Sequence, residues 1–338
     1  MKLRSKNLFR SVASIVAVAG MALGVASCSS TDSSSDASTD AANSADGAFP
    51  VSISTKFGDI TIESQPERVV ALGWGDAEAA LEFGVQPVGA SDWLAFGGEG
   101  VGPWIESGAY DEAPEIIGTM EPEFEKIAAL EPDLILDVRS SGDQERYDKL
   151  SSIAPTIGVP EGGDSYLTPR SQQVSMIATA LGQAERGEEV NAEYEQLTAD
   201  IREAHPDWSE KTAAAVSATA TSWGAYIKGS NRVDTLLDLG FQENPELAAQ
   251  DPGDTGFSLD LGEETFTVVD SDLVVGFAIG MTPEEMAEKL PWQMLEATRD
   301  GRSFVMPREI SSAFSLGSPQ STRFALEQLV PLLEKHTS

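Results

Sequence analysis

Residues 168–206 read TPRSQQVSMIATALGQAERGEEVNAEYEQLTADIREAHP, the longest stretch of the chain with a helical pattern. Thr168 can cap a first helix, and Pro169 suits its first position. Apolar residues then recur on one face, at Val174, Ile177, Ala178 and Leu181. Because Gly182 and Gly187 interrupt the pattern, we expect Pro169–Leu181 to span two lobes and Glu188–Ala204 to pack as a separate helix.

On either side of residues 168–206, strands alternate with helices, which favours parallel sheets with helices on their faces. The predicted strands include Val69–Leu72, Leu134–Val138, Ala213–Ala218 and Leu273–Val275. The 290 residues from 49 to 338 suit two α/β lobes, 49–167 and 207–338. Ligands bind beyond the carboxyl ends of such strands, so two facing lobes are expected to enclose a cleft.

The N-terminal segments are predicted to lie outside the folded body. Residues 1–28 combine early positive charge with a short apolar run, which is typical of an export signal. The run ends at Val25-Ala26-Ser27-Cys28, which resembles a lipobox whose cysteine is lipidated; the alternative is an ordinary cleaved signal. Cys28 is the only cysteine, so no internal disulfide is expected. Residues 29–48 have no large apolar side chain and are predicted to be a disordered tether.

Charge and motifs exclude several functions. Residues 49–338 contain 51 acidic and 18 basic residues, which argues against nucleic-acid binding and against a basic membrane-binding face. His205 and His336 lie outside any cluster, and the chain has no H-E-x-x-H, so a direct metal site is not expected. The mature chain also has no G-x-S-x-G or S-x-x-K, although an enzyme with dispersed residues stays possible.

Short matches indicate an internal duplication. Leu81–Gln86 (LEFGVQ) matches Leu237–Gln242 (LDLGFQ), and each reads as a helix end followed by glycine. Glu125 and Glu264 each precede an Asp-Leu pair by eight residues. Between its two matched segments, the first copy has 17 residues more than the second copy. We place these additional residues in the Gly-rich and aromatic stretch Ser91–Pro114.

Several segments resemble the iron-siderophore substrate-binding lipoproteins of ABC importers. They are Glu67–Leu72 (ERVVAL), Pro87–Gly89 (PVG), Glu115–Gly118 (EIIG), Phe124–Ile135 (FEKIAALEPDLI) and Tyr147–Thr156 (YDKLSSIAPT). Gly102-Pro103-Trp104 looks like the actinobacterial branch of that family. The resemblance implies two Rossmann-like lobes joined by a long helix, with a ferric siderophore in the cleft. It also implies a monomer anchored through Cys28 to the outer face of the membrane, with an ABC permease as its partner. The siderophore supplies the iron ligands, so no protein cofactor is needed.

Candidate ligand contacts follow from position relative to the strands. Arginines past strand ends can donate to anionic oxygens, and aromatic rings offer flat apolar faces. The candidates are Trp74, Trp93, Trp104, Tyr110 and Arg139 in the first half, and Trp223, Tyr226 and Arg308 in the second. The plainer alternative is core packing for the aromatic residues and surface ion pairs for the arginines.

Glu125 and Glu264 match the glutamates that meet permease arginines in the resembled family. Each is expected in the first turn of a helix, where the helix dipole would also favour a glutamate without any docking role.

Other functions stay open from the sequence. A receptor for haem, cobalamin or ferric citrate could use the same lobes, with Tyr110 or Tyr226 as a haem ligand. The alternative from a different functional class is a secreted α/β enzyme or a surface interaction protein.

Overall fold

The computed structural model describes residues 48–253 and 256–338, which form two α/β lobes. The prediction of mainly parallel sheets in two lobes is confirmed. The predicted signal, Cys28 and residues 29–47 of the predicted tether lie outside the described residues. Within the part that is described, no helix combines the length and the hydropathy needed to cross a membrane.

The N-terminal lobe contains a five-stranded sheet in which every neighbouring pair is parallel, in the order β5-β4-β3-β6-β7. Its elements are the hairpin β1 (Val51–Thr55) and β2 (Gly58–Ile62), strands β3 (Val69–Ala71), β4 (Gly89–Ser91), β5 (Glu115–Ile117), β6 (Leu134–Leu136) and β7 (Thr156–Ile157), and helices α1 (Asp76–Glu82), α2 (Phe124–Ala129) and α3 (Gln144–Ser151). Strands β3 and β6 are fully buried because both faces of the sheet are covered, which explains their unbroken apolar sequences.

The C-terminal lobe has a second sheet in the order β11-β9-β8-β12-β13, with β10 also pairing with β8. Strand β9 is antiparallel to both of its neighbours, whereas β10, β8, β12 and β13 are mutually parallel. The strands are β8 (Thr212–Ala218), β9 (Trp223–Tyr226), β10 (Gln242–Glu243), β11 (Ser258–Leu261), β12 (Leu273–Ala278) and β13 (Ser303–Val305). The helices are α6 (Asn231–Asp238), α7 (Pro245–Ala248), α8 (Pro283–Ala287), α9 (Leu290–Met294), α10 (Glu296–Arg299), α11 (Arg308–Leu316) and α12 (Pro319–Thr337).

Two helices fill the central stretch, α4 (Arg170–Ala180) and α5 (Ala184–Ala204). Helix α4 packs in the N-terminal core, whereas α5 contributes Val190 to that core and Tyr194, Leu197 and Ile201 to the C-terminal core. The spanning helix is therefore α5, and the expectation that Pro169–Leu181 spans the lobes is wrong. At about 1.5 Å per residue, the 21 residues of α5 extend roughly 30 Å.

Gly187 lies inside α5 and does not precede it. A Cβ atom added there would lie 2.5 Å from the Cβ of Ala178, so the glycine allows α4 and α5 to pack closely. Thr168 is likewise not the helix cap, because its hydroxyl donates to the Val138 carbonyl at 2.8 Å and Pro169 occupies the cap position.

A second connection joins the lobes at the corner between α11 and α12, residues Phe314–Ser318. From the N-terminal lobe, Trp74 Nε1 donates to the Ser315 carbonyl at 3.1 Å, and Arg139 Nη1 donates to the Leu316 carbonyl at 3.1 Å. The Ser318 hydroxyl donates in turn to Glu78 of α1. These buried hydrogen bonds hold the C-terminal corner against the N-terminal lobe.

The two lobes repeat a local arrangement, as the sequence matches indicate. Gly84 and Gly240 follow α1 and α6 with φ of 71° and 106°. The carboxylate of Asp133 accepts hydrogen bonds from the amides of Glu67 and Arg68 just before β3. The carboxylate of Asp272 accepts from the Thr212 amide at the start of β8 in the same way. Equivalent aspartates therefore join equivalent pairs of parallel strands.

Candidate ligand-binding cavity

A cavity of about 930 Å³ lies between the lobes. This volume is at the upper end of the range of small-molecule sites. The N-terminal wall includes residues that follow β3, β4 and β6, which are neighbours in the sheet. The other wall comes from β9, β12, α6 and α11. The cavity therefore occupies the position that the carboxyl ends of parallel strands predict.

Aromatic rings cover the N-terminal wall. The rings of Trp74 and Trp93 are 5.4 Å apart, and the ring of Tyr166 lies edge-on to Trp93 at 5.4 Å. Trp93 is held in place because its Nε1 donates to the Leu72 carbonyl at 2.9 Å, while the Tyr166 hydroxyl contacts the Met120 sulfur at 3.4 Å. These rings offer an apolar surface for a ligand.

The main chain that carries Tyr166 is strained. Ser165 and Tyr166 have φ of 49° and 63°, in a backbone region that residues other than glycine rarely adopt. Their amides donate to the carbonyls of Ser141 and Ser140, at 3.2 and 2.9 Å, which holds this conformation. The Tyr166 ring is therefore fixed against the cavity by its backbone.

The C-terminal wall combines aromatic rings with a cation. The guanidinium of Arg232 lies 4.2 Å from the Tyr226 ring, 5.7 Å from Trp74 and 5.8 Å from Phe277. Its Nε donates to the Ser315 hydroxyl at 3.1 Å. This arginine lies on α6, one residue beyond the start of the helix that Ser230 caps. The sequence does carry that capping signal, but nothing in it indicates that the second residue of the helix faces a cleft.

Arg139 lies at the floor of the cavity with only 4% of its surface exposed. Its Nε donates to the Thr168 carbonyl at 3.0 Å and its Nη1 to the Leu316 carbonyl at 3.1 Å. Burial lowers the pKa of its guanidinium to about 10, opposed by the nearby charge of Asp76. Arg139 is therefore charged at neutral pH, and its Nη1 donor joins the lobes, whereas its Nε donor binds the segment just before α4.

Asp76 lies beside this floor and is fully buried. Its carboxylate accepts from the Val138 amide at 2.8 Å and from Gln173 Nε2 at 2.6 Å. Burial raises the pKa of Asp76 to about 6, although these hydrogen bonds lower it. The group is ionised at neutral pH and balances the charge of Arg139.

The structure brings together Trp74, Trp93, Arg139, Tyr226 and Arg308 from the set of predicted contacts, because all five line the cavity. Arg308 is exposed at the start of α11. Sequence reasoning did not identify several further lining residues. They are Leu94, Met120, Tyr166, Arg232, Phe257, Phe277, Ile279 and Met281.

Trp104 and Tyr110 lie outside the cavity. Trp104 Nε1 donates to Glu78 at 2.8 Å, and its ring packs 5.8 Å from Phe324 of α12. Tyr110 is 5% exposed, and burial raises the pKa of its hydroxyl. Burial also raises the pKa of Glu78, which accepts a third hydrogen bond from the Gly102 amide at 3.0 Å. Trp104 therefore fastens its loop to both lobes.

Trp223 also lies outside the cavity, in the core of the C-terminal lobe. Its ring packs 4.1 Å from Phe266, and 3% of its surface is exposed. Trp223 and Tyr226 are three positions apart on one strand, so alternation places their side chains on opposite faces. The face with Tyr226 borders the cavity, and the face with Trp223 packs against Phe266.

Glu125 and Glu264 are both exposed, each beyond the carboxyl end of a strand at the cleft edge of its sheet. Glu125 lies in the first turn of α2, as expected. Glu264 lies in a turn before a short 3₁₀ helix, Phe266–Val269, so its expected position in the first turn of a helix is wrong. The structure thus keeps the two carboxylates at corresponding edges but on different local elements.

Two sheet-and-helix lobes, a spanning helix and a cavity between them define the class of solute-binding proteins. The sequence profile of the periplasmic binding protein family matches residues 69–310. The chain belongs to this family of substrate-binding proteins.

The relatives agree in sequence and in fold. A probable siderophore-binding lipoprotein of Bacillus subtilis (strain 168) is 27% identical over 256 residues, which is 72% of this chain and 75% of that protein. A periplasmic solute binding protein of Mycobacterium smegmatis str. MC2 155 superposes with a TM-score of 0.75 at 25% identity, over 86% of this chain and 99% of that chain. PiaA of Streptococcus pneumoniae TIGR4 in complex with ferrichrome superposes with a TM-score of 0.71 at 24% identity, over 85% and 98% of the two chains, which shows a shared fold.

Proposed function

We propose that this protein is a lipid-anchored extracellular receptor that captures a ferric siderophore between its lobes and delivers it to an ABC permease for iron uptake. The observation that carries the proposal is the cavity of about 930 Å³ with aromatic rings on both walls. The relationship to a probable siderophore-binding lipoprotein supports the ligand class.

The cavity chemistry suits a ligand that brings its own iron donors. Trp74, Trp93 and Tyr226 supply ring faces for the organic shell of the complex. Arg232 and Arg308 supply charged donors for oxygens at the edge of the iron centre. We assign these five residues, together with Tyr166, to ligand contact and assign Arg139 to holding the cavity floor.

Delivery and anchoring form the remaining part of the proposal. Lipid on Cys28 would hold the protein, as a monomer, at the outer face of the membrane, with residues 29–48 between the lipid and the lobes. Glu125 and Glu264 would meet arginines of the permease, one from each lobe. Their exposure at the cleft edge of both sheets supports this assignment.

Tryptophan-fluorescence titration tests the ligand class directly, since Trp74 and Trp93 line the cavity. The exported chain would be titrated with two ferric siderophores, ferrichrome and ferric enterobactin, and with the rival ligands ferric citrate, haem and cobalamin. We expect saturable quenching by at least one ferric siderophore at micromolar concentration or below. An Arg232→Gln variant should lose at least about tenfold in affinity, equivalent to about 1.4 kcal/mol.

Arg299→Gln is the matched control, because Arg299 is an exposed arginine that does not line the cavity. Its affinity should equal that of the unmodified protein. If haem or cobalamin binds and no ferric siderophore does, the proposed ligand is wrong. If a bound molecule is turned over, the protein is an enzyme and the proposed class of protein is wrong.

A further inference from the structure

The charges that face the cavity nearly cancel. Of the residues that the structure describes, three arginines and one carboxylate line the cavity, namely Arg139, Arg232, Arg308 and Glu285. The charge of Arg139 is already matched by ionised Asp76, and two of its donors are used by backbone carbonyls. Two arginines and one glutamate therefore leave a single net positive charge for a ligand.

Arg232 is the cation best placed to meet a ligand oxygen. Its guanidinium rests on the Tyr226 ring at 4.2 Å, and its Nε is fixed by Ser315. Among residues 48–253 and 256–338, no carboxylate lies within ion-pair distance of it. Its remaining N–H groups can donate to one oxyanion in a fixed direction.

Each lobe places an exposed apolar side chain at the cavity. Met120 of the N-terminal lobe is 66% exposed, and Ile279 of the C-terminal lobe is 48% exposed. Both line the cavity, as do Leu94 and Met281. Large apolar side chains exposed at a cleft usually mark a contact surface, so a ligand that covers them would have an apolar periphery.

We infer, on the basis of the proposed function, that the cavity selects ferric complexes with no charge or one negative charge and an apolar periphery, with one oxyanion on Arg232. Three hydroxamates carry three negative charges and cancel those of Fe³⁺, whereas three catecholates carry six and leave a charge of minus three. A triply charged complex would leave two charges unmatched between apolar walls, which is unfavourable. The hydroxamate class fits the cavity, and the tris-catecholate class does not.

Titration with two probes of different charge tests this inference. Ferrichrome is a neutral tris-hydroxamate, and ferric enterobactin is a tris-catecholate with charge minus three. We expect ferrichrome to bind at least about tenfold more tightly. Equal or tighter binding of the catecholate complex would overturn the inference while leaving the proposed function intact. If no ferric siderophore binds, the proposed function fails and the inference fails with it.

A variant that changes charge with little change in shape makes the test sharper. Glu285→Gln raises the net charge of the cavity by one, and glutamine at this position can retain the capping box with Thr282. We expect affinity for the triply charged complex to rise roughly fivefold and affinity for ferrichrome to change less than about twofold. Glu284→Gln, on the same helix but outside the cavity, is the matched control. If Glu285→Gln and its control affect the charged complex equally, cavity charge does not determine selection.

Discussion

Replacing Asp76 with asparagine should change how the stability of the protein depends on pH. Asp76 is fully buried, and burial raises its pKa from 3.8 to about 6. The folded state therefore binds this proton more tightly than the unfolded state does. The contribution of Asp76 to stability is fully present below pH 3.8 and is lost as pH rises through 6.

The magnitude follows from the two pKa values. The full difference corresponds to about 3 kcal/mol, and about 2 kcal/mol of it is gained when the pH falls from 7.5 to 4.5. Other carboxylates titrate over the same range, but their contributions cancel when the unmodified protein and a variant are compared. Asparagine and alanine are both neutral at every pH, so either replacement removes only the Asp76 contribution.

The assay is denaturant unfolding of the unmodified protein, Asp76→Asn and Asp76→Ala at pH 7.5 and 4.5. The two variants should differ from each other in stability, because asparagine keeps one hydrogen-bond acceptor and alanine leaves a cavity. Each should nevertheless lose about 2 kcal/mol relative to the unmodified protein as the pH falls to 4.5. Differences that stay constant with pH in both variants would refute the reasoning.

Three further variants test other parts of the structure. Gly187→Ala should lower the free energy of unfolding by about 1–2 kcal/mol, because the clash with Ala178 exceeds the gain in helix propensity; a more stable variant in thermal unfolding would contradict the close packing. Trp223→Ala should lower it by about 3–5 kcal/mol, and reduced siderophore affinity with unchanged stability would show that the ring contacts ligand. The double variant Glu125→Ala, Glu264→Ala should retain siderophore affinity but lose iron uptake; normal uptake would remove the docking role.

The sequence predicted the N-terminal side of the cavity better than the C-terminal side. In the first lobe all strands of the sheet are parallel, so residues after β3, β4 and β6 meet at one edge, and Trp74, Trp93 and Arg139 line the cavity. In the second lobe β9 runs antiparallel, a reversal that the alternation of strands and helices does not reveal. Trp223 lies beside Ala218 at the carboxyl end of β8, but its side chain points to the core face of the sheet, which position after a strand does not reveal.

Arg139, which was expected to contact ligand, and Arg232, which was not identified, show a different limit. Both are arginines near strand or helix ends, and sequence position alone does not indicate whether a guanidinium meets a ligand or the protein itself. Thr168 and Leu316 carbonyls lie within reach of Arg139 only because distant segments fold beside it. Long-range contacts also make α5 the spanning helix, because its apolar residues pack in both cores.

Trp74 and Arg139 donate hydrogen bonds to the corner Phe314–Ser318, and Glu78 accepts one from it. On the proposed function, these bonds would affect how the receptor uses its transporter. Because these hydrogen bonds oppose relative movement of the lobes, we expect little binding free energy to be needed to rearrange them. Empty and loaded receptors would then present nearly the same outline to the permease. Empty copies would compete with loaded ones for the same transporters, so making more receptor than there is siderophore to fill it would slow iron import.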